Sequence, residues 1–142
     1  MTDSENTEKK SRGSVVVIDD SIPILTIFRF LMEKNNYTPL CFANGKLALQ
    51  QLEIRNPGDV KLIFCDIMMP EVGGFEFIKL LKSKNMLSNV PLVVMSALSD
   101  RDTIAEAKKL GTTAFLSKPV NGKKIIDLMK KLFPDQTFKE IV

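Results

Sequence analysis

Five short apolar runs, each followed by a polar turn and then a segment of helical spacing, constrain this chain most. The runs are SVVVI at 14–18, YTPLCF at 37–42, VKLIFC at 60–65, PLVVM at 91–95 and TAFL at 113–116. They are short and rich in β-branched and aromatic residues, which identifies them as strands. Apolar residues recur at helical spacing over 22–35, 45–55, 74–84, 100–110 and 121–133. Strand and helix in strict alternation predict an α/β protein, a doubly wound five-stranded parallel sheet with five helices on its two faces. The punctuation agrees. Pro23 suits a first helical turn, Asn44 and Asn121 suit N-caps, and Gly111 follows Leu110 as a C-terminal stop. Ser99 with Asp102 has the spacing of a capping box. The segment 22–35 is apolar on more than one face. The plain reading is that both faces pack inside the domain, and a partner-facing patch is the alternative.

One domain accounts for 142 residues. Residues 1–13 read as a flexible polar tail, 14–133 as the folded unit and 134–142 as a short tail without an interpretable motif. A net charge of +3, with no long basic run, argues against nucleic acid. No apolar run reaches the roughly 18 residues of a membrane span, and the start lacks a signal-like apolar stretch. Both point to a cytoplasmic protein that engages no membrane. Cys41 and Cys65 lie inside strand-like runs and read as buried thiols. Histidine is absent, which removes imidazole bases and His-based triads.

Ligands of an open parallel sheet bind at the carboxyl ends of its strands. Asp19 and Asp20 follow the first strand, Asp66 the third, Ser96 the fourth, and Lys118–Pro119 the fifth. The second run ends in Ala43–Asn44 and lies outside such a site. Taken singly, each residue has an ordinary reading: a helix cap, a solvated loop aspartate, a surface lysine. Together they are coherent. Three clustered carboxylates repel one another, a hard cation such as Mg²⁺ relieves that, and Lys118 and Ser96 can meet phosphoryl oxygens. The set holds what is needed to form and keep a phosphorylated carboxylate.

The stretches VVVIDD at 15–20, LIFCDIMMPEVGG at 62–74, LVVMSA at 92–97 and AFLSKPV at 114–120 resemble the receiver domain of two-component response regulators. The resemblance covers roughly 14–133 and is closest to stand-alone, chemotaxis-type members. It implies a flavodoxin-like sheet of order 2-1-3-4-5. Asp66 is then the phosphoacceptor; Asp20 binds Mg²⁺ directly and Asp19 through water, with the Met68 backbone carbonyl as a further ligand. Ser96 and Lys118 grip the phosphoryl group, Lys118–Pro119 is a cis peptide, and Phe115 takes the aromatic switch position without the hydroxyl of a tyrosine. Met68 and Leu98 flank the path of hydrolytic water and, being bulky and apolar, are expected to slow dephosphorylation. Pro70, Gly73 and Gly74 shape the loop after Asp66.

The implied partners are a histidine kinase or a histidine phosphotransfer protein as donor, and a downstream protein as target. The implied state is a monomer or a dimer formed on phosphorylation. The chain is then a signalling switch, not an enzyme. Two alternatives remain: a Mg²⁺-dependent aspartate-nucleophile phosphatase, which normally carries an acid two residues past its nucleophile where this chain has Met68, and a receiver-like module that is never phosphorylated.

Overall fold

The strands expected from the apolar runs pair into a single sheet. A computed structural model describes residues 10–55, 58–69, 72–97 and 100–140. The elements are β1 (Ser14–Ile18), α1 (Ile22–Lys34), β2 (Thr38–Phe42), α2 (Gly45–Arg55), β3 (Val60–Asp66), α3 (Gly74–Ser83), β4 (Leu92–Ser96), α4 (Arg101–Lys109), β5 (Ala114–Ser117) and α5 (Gly122–Leu132). All strand pairs are parallel, and the sheet order is β2-β1-β3-β4-β5.

Strand alternation divides the core into two layers. Val15, Val17, Leu62, Phe64, Val93 and Met95 face α1 and α5, where Phe28 lies against Phe64 with ring centroids 4.7 Å apart. Val16, Ile18, Ile63, Cys65 and Val94 face the layer of α2, α3 and α4. Both sides of the central strands are therefore dry beyond the exposed Lys61, which is why, that residue apart, they read as apolar runs.

Two ends differ from the expected boundaries in a way that matters. β3 continues through Asp66 and β4 through Ser96, because the ladder pairs Asp66 with Met95 and Ser96 with Ser117. The chemistry-bearing residues are thus the last rungs of the sheet rather than the first residues of loops. Helix signals fall largely as expected. Asn44 Oδ1 accepts from Leu47 N–H at 2.8 Å, Asn121 Oδ1 accepts from Lys124 N–H at 2.9 Å, and Gly111 takes a left-handed φ of 78°. The cap of α4 is Asp100, whose Oδ1 accepts from Thr103 N–H at 2.8 Å; Ser99 lies outside the described residues. Pro70, most of the N-terminal tail (1–9) and the last two residues lie outside them as well.

Helix α1 corrects the plain reading of its apolar faces. Leu25, Phe28, Leu31 and Met32 are buried, but Ile22 is 66% and Phe30 53% exposed. A helix on the outside of a sheet can bury only one stripe, so the surplus faces outward. Lys34 covers Phe30 in part, with Nζ 5.8 Å from the ring centroid.

Gly74, the first residue of α3, is held against the end of β3. A Cβ at this position would lie 2.2 Å from the Asp66 carbonyl oxygen and 2.7 Å from Ile67 Cα, both backbone atoms that cannot yield. Gly74→Ala is accordingly expected to cost about 3 kcal/mol, as overpacking against rigid neighbours does. Urea unfolding of the two proteins side by side measures it.

Candidate functional site

The same alternation that builds the core assembles the site. Val17 pairs with Phe64 and Ile18 with Cys65, so the next residues on the α1–α5 side are Asp19 and Asp66, side by side. Leu116 faces that layer too, and Lys118, two residues on, arrives between the carboxylates. Lys118 Nζ lies 3.1 Å from Asp19 Oδ2 and 3.1 Å from Asp66 Oδ2. The Lys118–Pro119 peptide is cis.

Backbone donors hold the remaining carboxylate oxygens. Asp19 Oδ1 accepts from Ser21 N–H at 2.9 Å, and Asp66 Oδ1 accepts from Met68 N–H at 3.2 Å. Ser21, not Asp19 or Asp20, caps α1, its hydroxyl accepting from Ile24 N–H at 3.4 Å. The ordinary reading of the acidic pair as a helix cap is thereby removed. Asp19 and Asp66 are buried, whereas Asp20 is exposed at the mouth. One oxygen from each of the three lies within 4.8 Å of the others.

Three carboxylates against one ammonium leave an excess of negative charge in a poorly solvated pocket. Burial pushes the Asp66 carboxyl above the usual carboxylate range, and Asp19 adds to this; Lys118 and the Met68 N–H oppose it without reversing it. Burial works against the charge on Lys118, but its hydrogen bond to Asp66 and its attraction to Asp19 and Asp66 prevail and hold its ammonium above the ordinary lysine value. Asp19 Oδ2 is buried and receives no hydrogen bond from the described residues, although Lys118 Nζ stands 3.1 Å away. That contact is a charge attraction without hydrogen-bond alignment, so a lone pair stays open. An all-oxygen donor set with surplus negative charge and an open buried oxygen suits a hard divalent cation.

The other expected residues fall around this centre. Ser96 is fully buried at the end of β4, and its carbonyl accepts from Lys118 N–H at 2.9 Å. Phe115 is partly buried against the α2–α3–α4 layer, on the opposite face of the sheet from Lys118. Met68 is 59% exposed beside Asp66. Leu98 lies outside the described residues. Two contributors were not foreseen in their roles. The Ser21 N–H orients Asp19, for which the only sequence signal is an aspartate two residues before a cap. Gly74 lets α3 seat on the Asp66 carbonyl; the glycine pair signalled a tight loop but not that neighbour.

Comparison with known proteins agrees with this geometry. Residues 15–130 match the response regulator receiver domain, and the chain belongs to that family. It is 29% identical over 122 residues to the polar-differentiation response regulator DivK of Brucella anthropi, covering 86% of this chain and 97% of that protein. It is 33% identical over 110 residues to the chemotaxis protein CheV1 of Helicobacter pylori, covering 76% of this chain but only 34% of CheV1. Among solved structures, the Vibrio cholerae chemotaxis protein CheY4 superposes with a TM-score of 0.76 at 24% identity, covering 85% of this chain and 98% of that one. The receiver domain of the Francisella response regulator 1452 gives 0.72 at 27% identity, over 88% and 99%. The fold class and the resemblance drawn from the sequence both hold.

A carboxyl held above its ordinary range binds its proton more tightly folded than unfolded. Stability is therefore lost as pH rises from the ordinary carboxylate range through the raised one. In metal-free protein, Asp66→Asn is expected to raise the thermal midpoint by a few degrees at pH 7 and to change it little at pH 3. Thermal melts of both proteins at the two pH values check the sign.

Proposed function

We propose that residues 14–133 act as a phosphorylation-driven switch in which Asp66 accepts a phosphoryl group from a phosphohistidine on a kinase or phosphotransfer protein. The observation that carries this reading is Asp66 at the end of β3, with Asp19 and Asp20 carboxylate oxygens within 4.8 Å and Lys118 Nζ at 3.1 Å. In the transfer, an Asp66 carboxylate oxygen attacks phosphorus. The P–O bond forms as the P–N bond to the donor imidazole breaks, and the nitrogen recovers a proton from solvent. The absence of histidine from this chain suits a recipient rather than a donor.

Asp20 and Asp66 would hold a Mg²⁺ ion directly, Asp19 through water, with the Met68 carbonyl completing the protein ligands. Once bound, the ion supplies neutralisation of the charge on the phosphoryl oxygens. Lys118 is released from its carboxylates to one phosphoryl oxygen, and the Ser96 hydroxyl donates to another. Transfer then relies on positioning and charge, with no general base required. Closure of Ser96 draws Phe115 inward and alters the surface of residues 100–133, which a downstream protein reads, the chain acting as a monomer or as a dimer formed on activation. Phe115 lacks a phenolic hydroxyl, so burial of its ring alone carries this coupling. Among the described residues no helix is long and apolar enough to cross a membrane, in keeping with a role in the cytoplasm.

Incubation with Mg²⁺ and acetyl phosphate is expected to add one phosphoryl group per chain, read by intact mass. Asp66→Ala abolishes the adduct, and Lys118→Ala slows its formation about 100-fold. Steady turnover of the donor instead would favour a phosphatase, and no reaction would favour a non-phosphorylated module. Met68→Asn and Leu98→Glu are each expected to shorten the lifetime of the phosphorylated form. An unchanged lifetime in both would remove the shielding role of the two apolar side chains.

A further inference from the structure

The segment after α5 reads as a featureless tail, yet the structure gives it a defined seat at the pole opposite Asp66. The chain turns at Gln136, whose N–H donates to the Phe133 carbonyl at 3.0 Å, and residues 137–140 run back across the end of α1. Asn35, 5% exposed, receives them with its side-chain amide. Its Nδ2 donates to the Lys139 carbonyl at 3.0 Å and its Oδ1 accepts from Lys139 N–H at 2.6 Å. A buried amide used on both edges imitates one rung of a β-ladder.

Neighbouring side chains read the main chain on either side of that rung. Arg12 Nη1 donates to the Thr137 carbonyl at 2.9 Å, and Lys34 Nζ donates to the Glu140 carbonyl at 3.1 Å. Only two side chains of the segment anchor inward. The Gln136 amide oxygen accepts from the Tyr37 hydroxyl. Phe138 stacks on Tyr37, centroids 6.4 Å apart and planes 8° from parallel, with the Arg12 guanidinium 5.7 and 5.5 Å from the two centroids. Outside the slot, the Glu140 carboxylate pairs with Lys130 of α5 at 2.9 Å.

Four main-chain groups and one aromatic ring held by side chains from two separate parts of the chain, Arg12 and the corner at 34–37, is the pattern of extended-peptide recognition. We propose that the α1–β2 corner is a peptide-recognition slot, closed in cis by residues 136–140, and that this strap opens while the rest of the fold stays intact. The seat is shallow: most of residues 134–140 are exposed, and only Phe138 reaches the α1–α5 core layer. A segment of few buried apolar contacts opens at lower free energy than the sheet beneath it. The short link Pro134–Asp135 keeps the strap at an effective concentration on the order of millimolar, so the slot is normally filled by its own chain.

Tyr37 reports on the slot directly, being the single tyrosine of a chain without tryptophan. Burial pushes its phenol above the ordinary tyrosine value, against the pull of Arg12 and Gln136. In wild-type protein, hydrogen exchange at the Lys139 amide is expected to be roughly 10- to 1,000-fold slower than in free peptide, and faster than at β1 amides. Phe138→Ala in the full chain is expected to bring the Tyr37 titration back toward its ordinary value and to leave phosphorylation of Asp66 within about twofold. Adding a peptide of residues 134–142 then restores the Tyr37 signal saturably in the variant, and a peptide with Phe138 replaced by alanine does not. Four results would overturn the proposal. Lys139 exchange at the free-peptide rate means no latch, and exchange in step with β1 means an inseparable part of the fold. A native peptide without effect on the variant up to millimolar concentration means no recognition slot. A concentration-dependent dimer of the wild type that protects Lys139 would place the strap on a second copy instead.

Discussion

Two buried carboxylates set side by side, Asp19 and Asp66, are the constraint on which the rest of this structure depends. Each ends a run that is otherwise dry, and neither charge is tolerable there without compensation. Lys118 supplies part of it, reaching both at 3.1 Å, and backbone N–H groups of Ser21 and Met68 supply more. What remains is an excess of negative charge and a buried oxygen, Asp19 Oδ2, with an unused lone pair. A site left under-compensated in this way costs stability and gains affinity for cations. Stability and affinity for a cation oppose each other at these residues.

The architecture makes this tension rigid rather than fluid. Asp66 and Ser96 are ladder residues, paired with Met95 and Ser117, so they move with the sheet. Asp20, exposed at the mouth, and Lys118, on the turn between β5 and α5, lie outside the ladder. Gly74 lets the start of α3 sit directly on the Asp66 backbone carbonyl. Helices α1 and α5, both packed on the Asp19–Asp66 face, run from the site to the far pole, where residues 136–140 bridge their ends.

The helix α1 and the C-terminal segment show where pattern reading reaches its limit. Periodicity identified α1 correctly but could not say which of its two apolar faces a single sheet would cover, and Ile22 and Phe30 stay outside. The strap carries no periodicity at all, since its contacts are made by isolated polar groups, Asn35 and Arg12, that lie about a hundred residues away or more. The α4 cap moved by one residue, from Ser99 to Asp100, because both are good caps and only the helix start chooses between them.

By itself the sequence determined the five strands, the five helices, the parallel sheet and the placement of Asp19, Asp20, Asp66, Ser96 and Lys118 at one edge of it. It could do so because strand alternation and strand-end position are local properties, and parallel sheets gather strand ends at one edge. Tertiary structure alone decided that Lys118 bridges two carboxylates, that one Asp19 oxygen goes without a hydrogen bond, and that the last residues seat on Asn35 and Tyr37. Those outcomes depend on distances between atoms far apart in the chain, set by register and packing, and no local pattern encodes them.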